Sequence, residues 1–314
     1  MLAVTTSATS DVTEPPCTGE IAVLANPSAG RGRLARLLPE VLARLGGAGA
    51  SVRLLEASDA AGASDACHAA VAGGAAALVA VGGDGTVHTA LQAVGGTPVP
   101  LGIVPAGTGN DFAAEVGLST QPLAAADAVA AALAAGRTRT VDLAKLRSGA
   151  DRTRWYGAVL GAGFDAIVNE RANVMRFPRG PRRYDLAILA ELARLRPRRY
   201  TLRLDGVAHT VDAVLVAVGN TASYGGGMRI CPAADPGDGL LDVVVAGAVG
   251  RLTLMRIKPR VYRGTHVEHP MVSTFRARTV ELDAEGIIGY ADGERAFPLP
   301  VTITCVPGAL TLLS

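Results

Sequence analysis

Glycines that follow short apolar runs, acidic residues beside them, and a carboxylate directly after an Asp-Gly pair are the residues of this sequence placed where they could do chemistry. Gly82-Gly83-Asp84-Gly85-Thr86 follows the run 76–81, and Gly107-Thr108-Gly109-Asn110-Asp111 follows 101–105. In each case a β-rich stretch runs into glycines and then into an amphipathic helical pattern. Backbone N–H groups and a helix N-terminus then converge on one point, an arrangement that holds phosphate. Glycine is required because a Cβ would keep a phosphate oxygen from the amides and because such turns call for positive φ. Asn26-Pro27-Ser28-Ala29-Gly30-Arg31-Gly32-Arg33 is a third turn of this kind. Ser28 can cap there, and Arg31 or Arg33 can reach a triphosphate with a forked guanidinium. It is not a Walker A loop, because GxxxxGK[ST] is absent and no lysine precedes Lys145.

Two further clusters draw on oxygen chemistry. Asp235-Pro236-Gly237-Asp238-Gly239-Leu240 sets two carboxylates and turned-out carbonyls within one short loop, which suits a hard cation. Asp292-Gly293-Glu294, taken locally, reads as a hairpin turn. His266-x-x-His269 with Glu268 and Pro270 fits no ligand spacing and reads as structural or surface histidines.

These residues have to be positioned by regular elements. The first half alternates strand-like segments (21–26, 51–56, 78–81, 100–104) with helix-like ones (34–45, 64–73, 87–94), a βαβ order that predicts a mostly parallel sheet with ligands at the carboxyl ends of its strands. Helical pieces follow at 112–117 and 122–136. After about residue 142 the texture becomes period-2 stretches (155–160, 200–204, 211–218, 241–245, 279–282, 301–306) broken by Gly, Pro and Asp, with one helix-spaced exception at 184–195. The expectation is a disordered tail over 1–19, a Rossmann-like α/β nucleotide-binding domain over 20–142, and a β-sandwich domain over 143–314 whose last strand returns to the first domain.

Bulk properties exclude several classes. A chain of 314 residues, 49% hydrophobic, can bury a large core, and a net charge of +2 argues against a nucleic-acid coat protein. Cys17, Cys67, Cys231 and Cys305 form no CxxC pair, which points to a reducing cytoplasm. No apolar run approaches the ~20 residues that span a bilayer.

The three turns in this order resemble the diacylglycerol kinase catalytic domain, which bacterial soluble lipid kinases share with eukaryotic diacylglycerol, sphingosine and ceramide kinases. The GGDGT turn alone also occurs in NAD kinases and phosphofructokinases. The resemblance is narrowed by residues 26–30, by Pro105-x-Gly107-Thr108-Gly109-Asn110-Asp111-Phe112, and by Val141-Asp142-Leu143. Gly161-x-Gly163-Phe164-Asp165, residues 235–240 and Asp292-Gly293-Glu294 narrow it further, toward the actinobacterial diacylglycerol kinases.

The resemblance implies ATP held between an α/β domain and a β-sandwich. Asn26, Pro27, Ser28, Ala29, Gly30, Arg31, Gly82, Gly83, Asp84, Gly85, Thr86, Val87, His88 and Thr108 would line the nucleotide, and Ser58 stands near a nucleotide-contacting threonine of the family. Arg31 replaces a lysine found in some relatives. Glu294 matches the family's general base, and Asp84 and Asp111 become candidates for holding the catalytic Mg²⁺ or the nucleotide. A structural Mg²⁺ is implied at the later loop, bound by the Asp238 side chain and the carbonyls of Asp235 and Leu240.

The implied reaction is phosphorylation of diacylglycerol or a related lipid at the inner membrane face, by a cytoplasmic protein in peripheral contact with the membrane and without nucleic-acid partners. Family relatives are often homodimers. Arg171, Arg176, Arg179, Arg182, Arg183, Arg194, Arg196, Arg198 and Arg199, around Met175 and Phe177, suit an anionic surface and equally suit a solvated one. Other acceptors (a sphingoid base, ceramide, monoacylglycerol or NAD) and a non-catalytic nucleotide-gated membrane module are the competing readings.

Overall fold

The computed structural model describes residues 12–13, 19–26, 29–47, 49–175 and 182–314. They divide into two compact units, one of 1–108, 117–141 and 308–314, the other of 109–116 and 142–307. The first is a Rossmann-like α/β domain and the second a β-sandwich.

In the first unit β1 (Val12–Thr13) pairs with Thr138 and Arg137, and the rest of residues 1–18 lies outside the described residues. β2 (Glu20–Ala25), α1 (Arg33–Gly46), β3 (Ser51–Leu55), α2 (Ala60–Ala72), β4 (Ala77–Gly82), α3 (Asp84–Val94) and β5 (Leu101–Pro105) then alternate. α4 (Asp111–Glu115) belongs to the second unit, and α5 (Pro122–Ala135) completes the first. The strands are parallel in the order β3-β2-β4-β5, with Leu312 paired beside Leu101 beyond β5.

β4 and β5 are buried at every position, as strands covered on both faces must be. Ile21, Val23, Ala77, Val79 and Val81 face α1 and α5 through Leu34, Val41, Leu45, Val129 and Leu133. α2 and α3 pack on the strands as well and on each other. Arg44 of α1 pairs with Glu40 at 2.7 Å and also with Asp127 of α5.

The second unit runs from β6 (Arg137–Ser148), shared between the units, through β7 (Arg152–Tyr156), β8 (Val159–Gly163), α6 (Phe164–Val174), α7 (Arg182–Ala193), β9 (Arg198–Leu204), β10 (Val207–Gly219) and β11 (Leu241–Gly247). α8 (Arg251–Val261), β12 (Val272–Ala277), β13 (Thr279–Asp283), β14 (Ile288–Ala291), β15 (Glu294–Pro298) and β16 (Val301–Leu313) follow.

β10 makes the corner of the sandwich. Its first half pairs with β9, a register shift follows between Ala213 and Leu215, and its second half lies between β8 and β11. A strand that bends at a bulge can serve both sheets. Tyr156, Leu160, Tyr200, Val216, Val218, Val243, Val280 and Ile303 fill the core between them. The Tyr156 hydroxyl is satisfied there by the Val218 carbonyl at 3.1 Å.

The expected strand over 155–160 is two strands, because Gly157 and Ala158 turn their amides to a side chain instead of a ladder partner. Two helices, α6 and α8, stand in a half whose sequence reads as mainly β.

Candidate active site

The three glycine turns come together at the carboxyl ends of β2, β4 and β5. The Gly82 carbonyl accepts from Ala106 N at 2.7 Å, and the Val81 carbonyl from Asn26 N at 3.2 Å. A methyl group on Gly83 would stand 3.2 Å from Gly107 Cα, and one on Gly30 (φ +59°) 2.6 Å from the Ala106 carbonyl oxygen. Backbone thus packs on backbone where these turns meet, with no room there for a side chain at Gly30 or Gly83. α3 opens from this cluster with Gly83 as its N-cap in extended conformation (φ −95°), not the positive φ expected of this turn, and with Asp84 as its first residue, so its dipole favours an anion at the turns.

The expected nucleotide residues divide into those on this surface and those behind it. Ala29 and Gly30 form a 3-10 turn with Arg31 and Gly32, tied by Ala29 N to the Asn26 carbonyl at 2.9 Å. Pro27, Ser28 and the Arg31 side chain lie outside the described residues. Asp84 is half-buried, and Gly85 and Thr108 are exposed. Thr86, Val87 and His88 are buried inside the unit and fix α3 to the sheet, with Thr86 filling the space beside Gly82. Ser58 is exposed in the loop between β3 and α2, beside Asp59, which caps α2 by accepting from Gly62 N at 2.8 Å.

In the second unit Glu294 sits on a rigid support. Asp292 (φ 53°) and Gly293 (φ 82°) both adopt left-handed conformations, making the tight hairpin between β14 and β15, and Glu294 is its first outgoing residue, exposed. The Asp292 carboxylate accepts from Gly157 N at 3.0 Å and Ala158 N at 2.8 Å, while Asp292 N donates to the Val159 carbonyl at 3.0 Å. Beside the hairpin, Glu170 accepts from the Tyr290 hydroxyl at 2.6 Å and Arg295 Nε at 2.7 Å. These bonds, Tyr290 first, hold its carboxyl below the usual range.

Asp111 has a defined task within the same unit. Its carboxylate, 9% exposed, accepts from Gly226 N at 2.6 Å and Gly227 N at 2.9 Å. It thereby holds a loop in which Gly225, Gly226 and Gly227 all have positive φ, a run that only glycine follows without strain. Glu115, one turn on, accepts from Ala222 N at 3.3 Å in the same loop.

The 235–240 loop is tied back to the strands. Gly239 N donates to Asp142 Oδ2 at 2.8 Å, and Asp142 N to the Pro236 carbonyl at 2.8 Å. Asp235 accepts from Gly237 N at 3.0 Å, and Asp238 from Leu240 N at 3.0 Å and from Arg276. Burial, followed by the neighbouring Asp238 and Asp235 charges, raises the carboxyl of Asp242, which Arg276 partly offsets.

Sequence reasoning did not single out Asn220, the Gly225–Gly227 run or Arg276. Fully buried Asn220 donates to the carbonyls of Asp142 at 2.9 Å and Gly157 at 2.8 Å, so the loop and the Glu294 hairpin hang on one hydrogen-bonded chain. Three successive glycines were the available signal.

His266, His269 and Glu268 turn to separate partners. His269 Nδ1 accepts from Met271 N at 3.2 Å, Glu268 pairs with Arg260 at 3.0 Å, and buried His266 meets the Ile230 carbonyl through Nε2 at 3.0 Å. Burial lowers the His266 pKa, so protons bind the unfolded chain first. Its contribution to stability is therefore fully present above the unfolded value of about 6.5 and is lost as pH falls from there through the lower folded value. Urea midpoints are expected to drop as pH falls below about 6.5 in the native protein and to drop less in His266→Gln; equal slopes would remove His266 from the acid response.

Residues 20–146 match the diacylglycerol kinase catalytic domain model, and 158–314 match the YegS C-terminal NAD kinase beta sandwich-like domain. A diacylglycerol kinase of Mycobacterium tuberculosis is 47% identical over 94% of this chain and 95% of its own length. A probable YegS-like lipid kinase of Stenotrophomonas maltophilia is 31% identical over 75% of this chain and 77% of its own. The crystal structure of a putative diacylglycerol kinase from Bacillus anthracis superposes with a TM-score of 0.76 at 22% identity, covering 94% of each chain, a likeness of fold. The two domain models and the 47% identity over nearly the whole length of both chains agree: this chain belongs to the diacylglycerol kinase family of lipid kinases.

Proposed function

We propose that the protein transfers the γ-phosphate of ATP to the primary hydroxyl of diacylglycerol, giving phosphatidic acid and ADP. The observation that carries this reading is the convergence of three glycine turns at the strand ends of the first unit, in a chain 47% identical along its length to a protein named diacylglycerol kinase. The turns take the ATP phosphates on main-chain amides, and the α3 dipole adds to the field they feel.

Glu294 acts as the base: it takes the hydroxyl proton as the acceptor oxygen bonds to the γ-phosphorus and the bond to the β,γ-bridging oxygen breaks. The Asp292 anchor holds the hairpin that carries it. A positioned base contributes about 10²–10⁴-fold. Asp111 supports the second unit by holding residues 225–227.

Mg²⁺ bound with the phosphates supplies charge neutralisation. Asp84, the carboxylate beside the first unit's turns, fits that group in charge and donor type. The 235–240 loop, with Asp238 and the carbonyls of Asp235 and Leu240, is proposed as a second Mg²⁺ site. Its donors are all hard oxygen, the type that Mg²⁺ takes. Arg276 competes for Asp238, so Arg276→Gln is expected to enlarge the Mg²⁺-induced rise in melting temperature, the whole of which corresponds to about 2.7 kcal/mol at a hundredfold excess over Kd. Unchanged melting with Mg²⁺ in both proteins would remove the loop from the metal reading.

The acceptor is tested by kcat/KM for diacylglycerol, monoacylglycerol, ceramide, sphingosine and NAD at fixed ATP. Diacylglycerol is expected to lead by at least tenfold. Preference for another lipid alcohol would change the substrate and keep the mechanism, and preference for NAD would overturn the proposal.

A further inference from the structure

The lipid reading leaves open how the protein meets a bilayer. Among the described residues no helix is long and apolar enough to cross one. Arg171 is paired with Glu191 and Arg199 with Asp212, while Arg176 and Arg179 and the side chains of Arg182 and Arg183 lie outside the described residues.

α8 offers a better surface. Its inner side is anchored, since Leu254, Ile257 and Val261 pack against Val214 and Val249. Its outer side is apolar where a surface helix is ordinarily polar: Leu252 is 64% exposed, Met255 47% and Tyr262, the C-cap residue in helical conformation, 49%. At 100° per residue Leu252, Met255, Pro259 and Tyr262 fall within an arc of about 80°, so they form one ridge. Arg256 lies on one flank of that ridge and Arg251 and Lys258 on the other, all three exposed, and exposed Arg263 follows Tyr262.

No acidic residue occurs between Asp242 and Glu268, and Glu268 is paired with Arg260, which leaves the flanking cations unopposed along this stretch. An apolar ridge between two rows of cations is the complement of a plane that offers acyl chains beneath anionic headgroups.

We infer that the exposed face of α8 docks the protein on an anionic bilayer, with Leu252, Met255 and Tyr262 entering the headgroup boundary and Arg251, Arg256, Lys258 and Arg263 contacting lipid phosphates. This inference rests on the lipid-kinase reading for its choice of partner. Only three apolar side chains enter, so the contact is shallow and reversible. Each cation near such a surface is worth about fivefold in partition.

The test is co-sedimentation of the full chain with vesicles of phosphatidylglycerol and phosphatidylcholine, of phosphatidylcholine alone, and in rising salt. Native protein is expected to bind the anionic vesicles and to be released by salt. The pairs Leu252→Ser/Met255→Ser and Arg256→Glu/Lys258→Glu are each expected to weaken binding at least tenfold. Both should keep the native kcat on a short-chain diacylglycerol presented as monomers, because neither touches the reacting groups.

Equal binding by the native chain and both variants, or equal binding to neutral vesicles, would overturn the assignment. So would a native dimer that either pair converts to monomers, which would give the face to a second copy of the chain. Vesicle binding is read without turnover, so docking that persists in a protein inactive on every lipid would reject the kinase reading and keep the surface.

Discussion

Glu294→Gln is expected to lower the rate of phosphoryl transfer by about 10²–10⁴-fold while the folding free energy stays within about 0.5 kcal/mol of the native chain. The first half of that expectation follows from the chemistry: glutamine keeps the shape of the side chain and cannot take a proton from the acceptor hydroxyl. The second half follows from the structure. Glu294 is exposed at the start of β15, and the hairpin that carries it is held by Asp292 through Gly157 and Ala158. Removing the charge therefore breaks none of the bonds that shape the turn. KM for ATP should remain near its native value, because Glu294 acts on the acceptor. Stopped-flow or coupled-assay kinetics beside urea unfolding of the same preparation would separate the two. Native kcat in the variant would take the base role away from Glu294.

Asp111→Ala is the complementary case, a large loss of stability. The carboxylate satisfies two backbone amides in a nearly buried setting, and hydrogen bonds to a charged group are worth about 1.5–3 kcal/mol each. The unfolding free energy should fall by about 3 kcal/mol or more, and hydrogen exchange at Gly226 and Gly227 should lose its protection. Asp111→Asn keeps an acceptor oxygen without the charge and should fall between the two. Activity should decline with the loop's order across the series. A variant that kept its stability and exchange protection but lost transfer would instead place Asp111 at the reacting phosphates.

Particular segments explain how far the sequence could be read. The path from β4 through Gly82 and Gly83 into α3 was legible because its signals are local: a continuous apolar run, glycines, then a helical pattern. The same holds for the turn after β2 and for the Asp292-Gly293 hairpin.

What escaped was decided by partners far along the chain. The run 155–160 looks like one strand, and it breaks because the Gly157 and Ala158 amides bond to Asp292, more than a hundred residues away. Asp111 reads as a phosphate-side acid from its neighbours, and the loop it holds lies at 226–227. α8 escaped for another reason: its apolar residues divide between an inner side and an exposed ridge, and Pro259 sits inside it, so no single apolar stripe marks it as a helix.

What the 155–160 run and Asp111 share is dependence on contacts far along the chain. Glycine turns and a carboxylate carry their chemistry in a few adjacent residues, whereas anchors such as Asn220 and Asp292 acquire theirs only once the sandwich has formed.

Transfer of label from [γ-³²P]ATP with Mg²⁺ to diacylglycerol in mixed micelles, run beside Glu294→Gln, tests the central claim most directly. Label in phosphatidic acid that is lost in the variant is the predicted result; nucleotide binding with no label in any lipid product would contradict it.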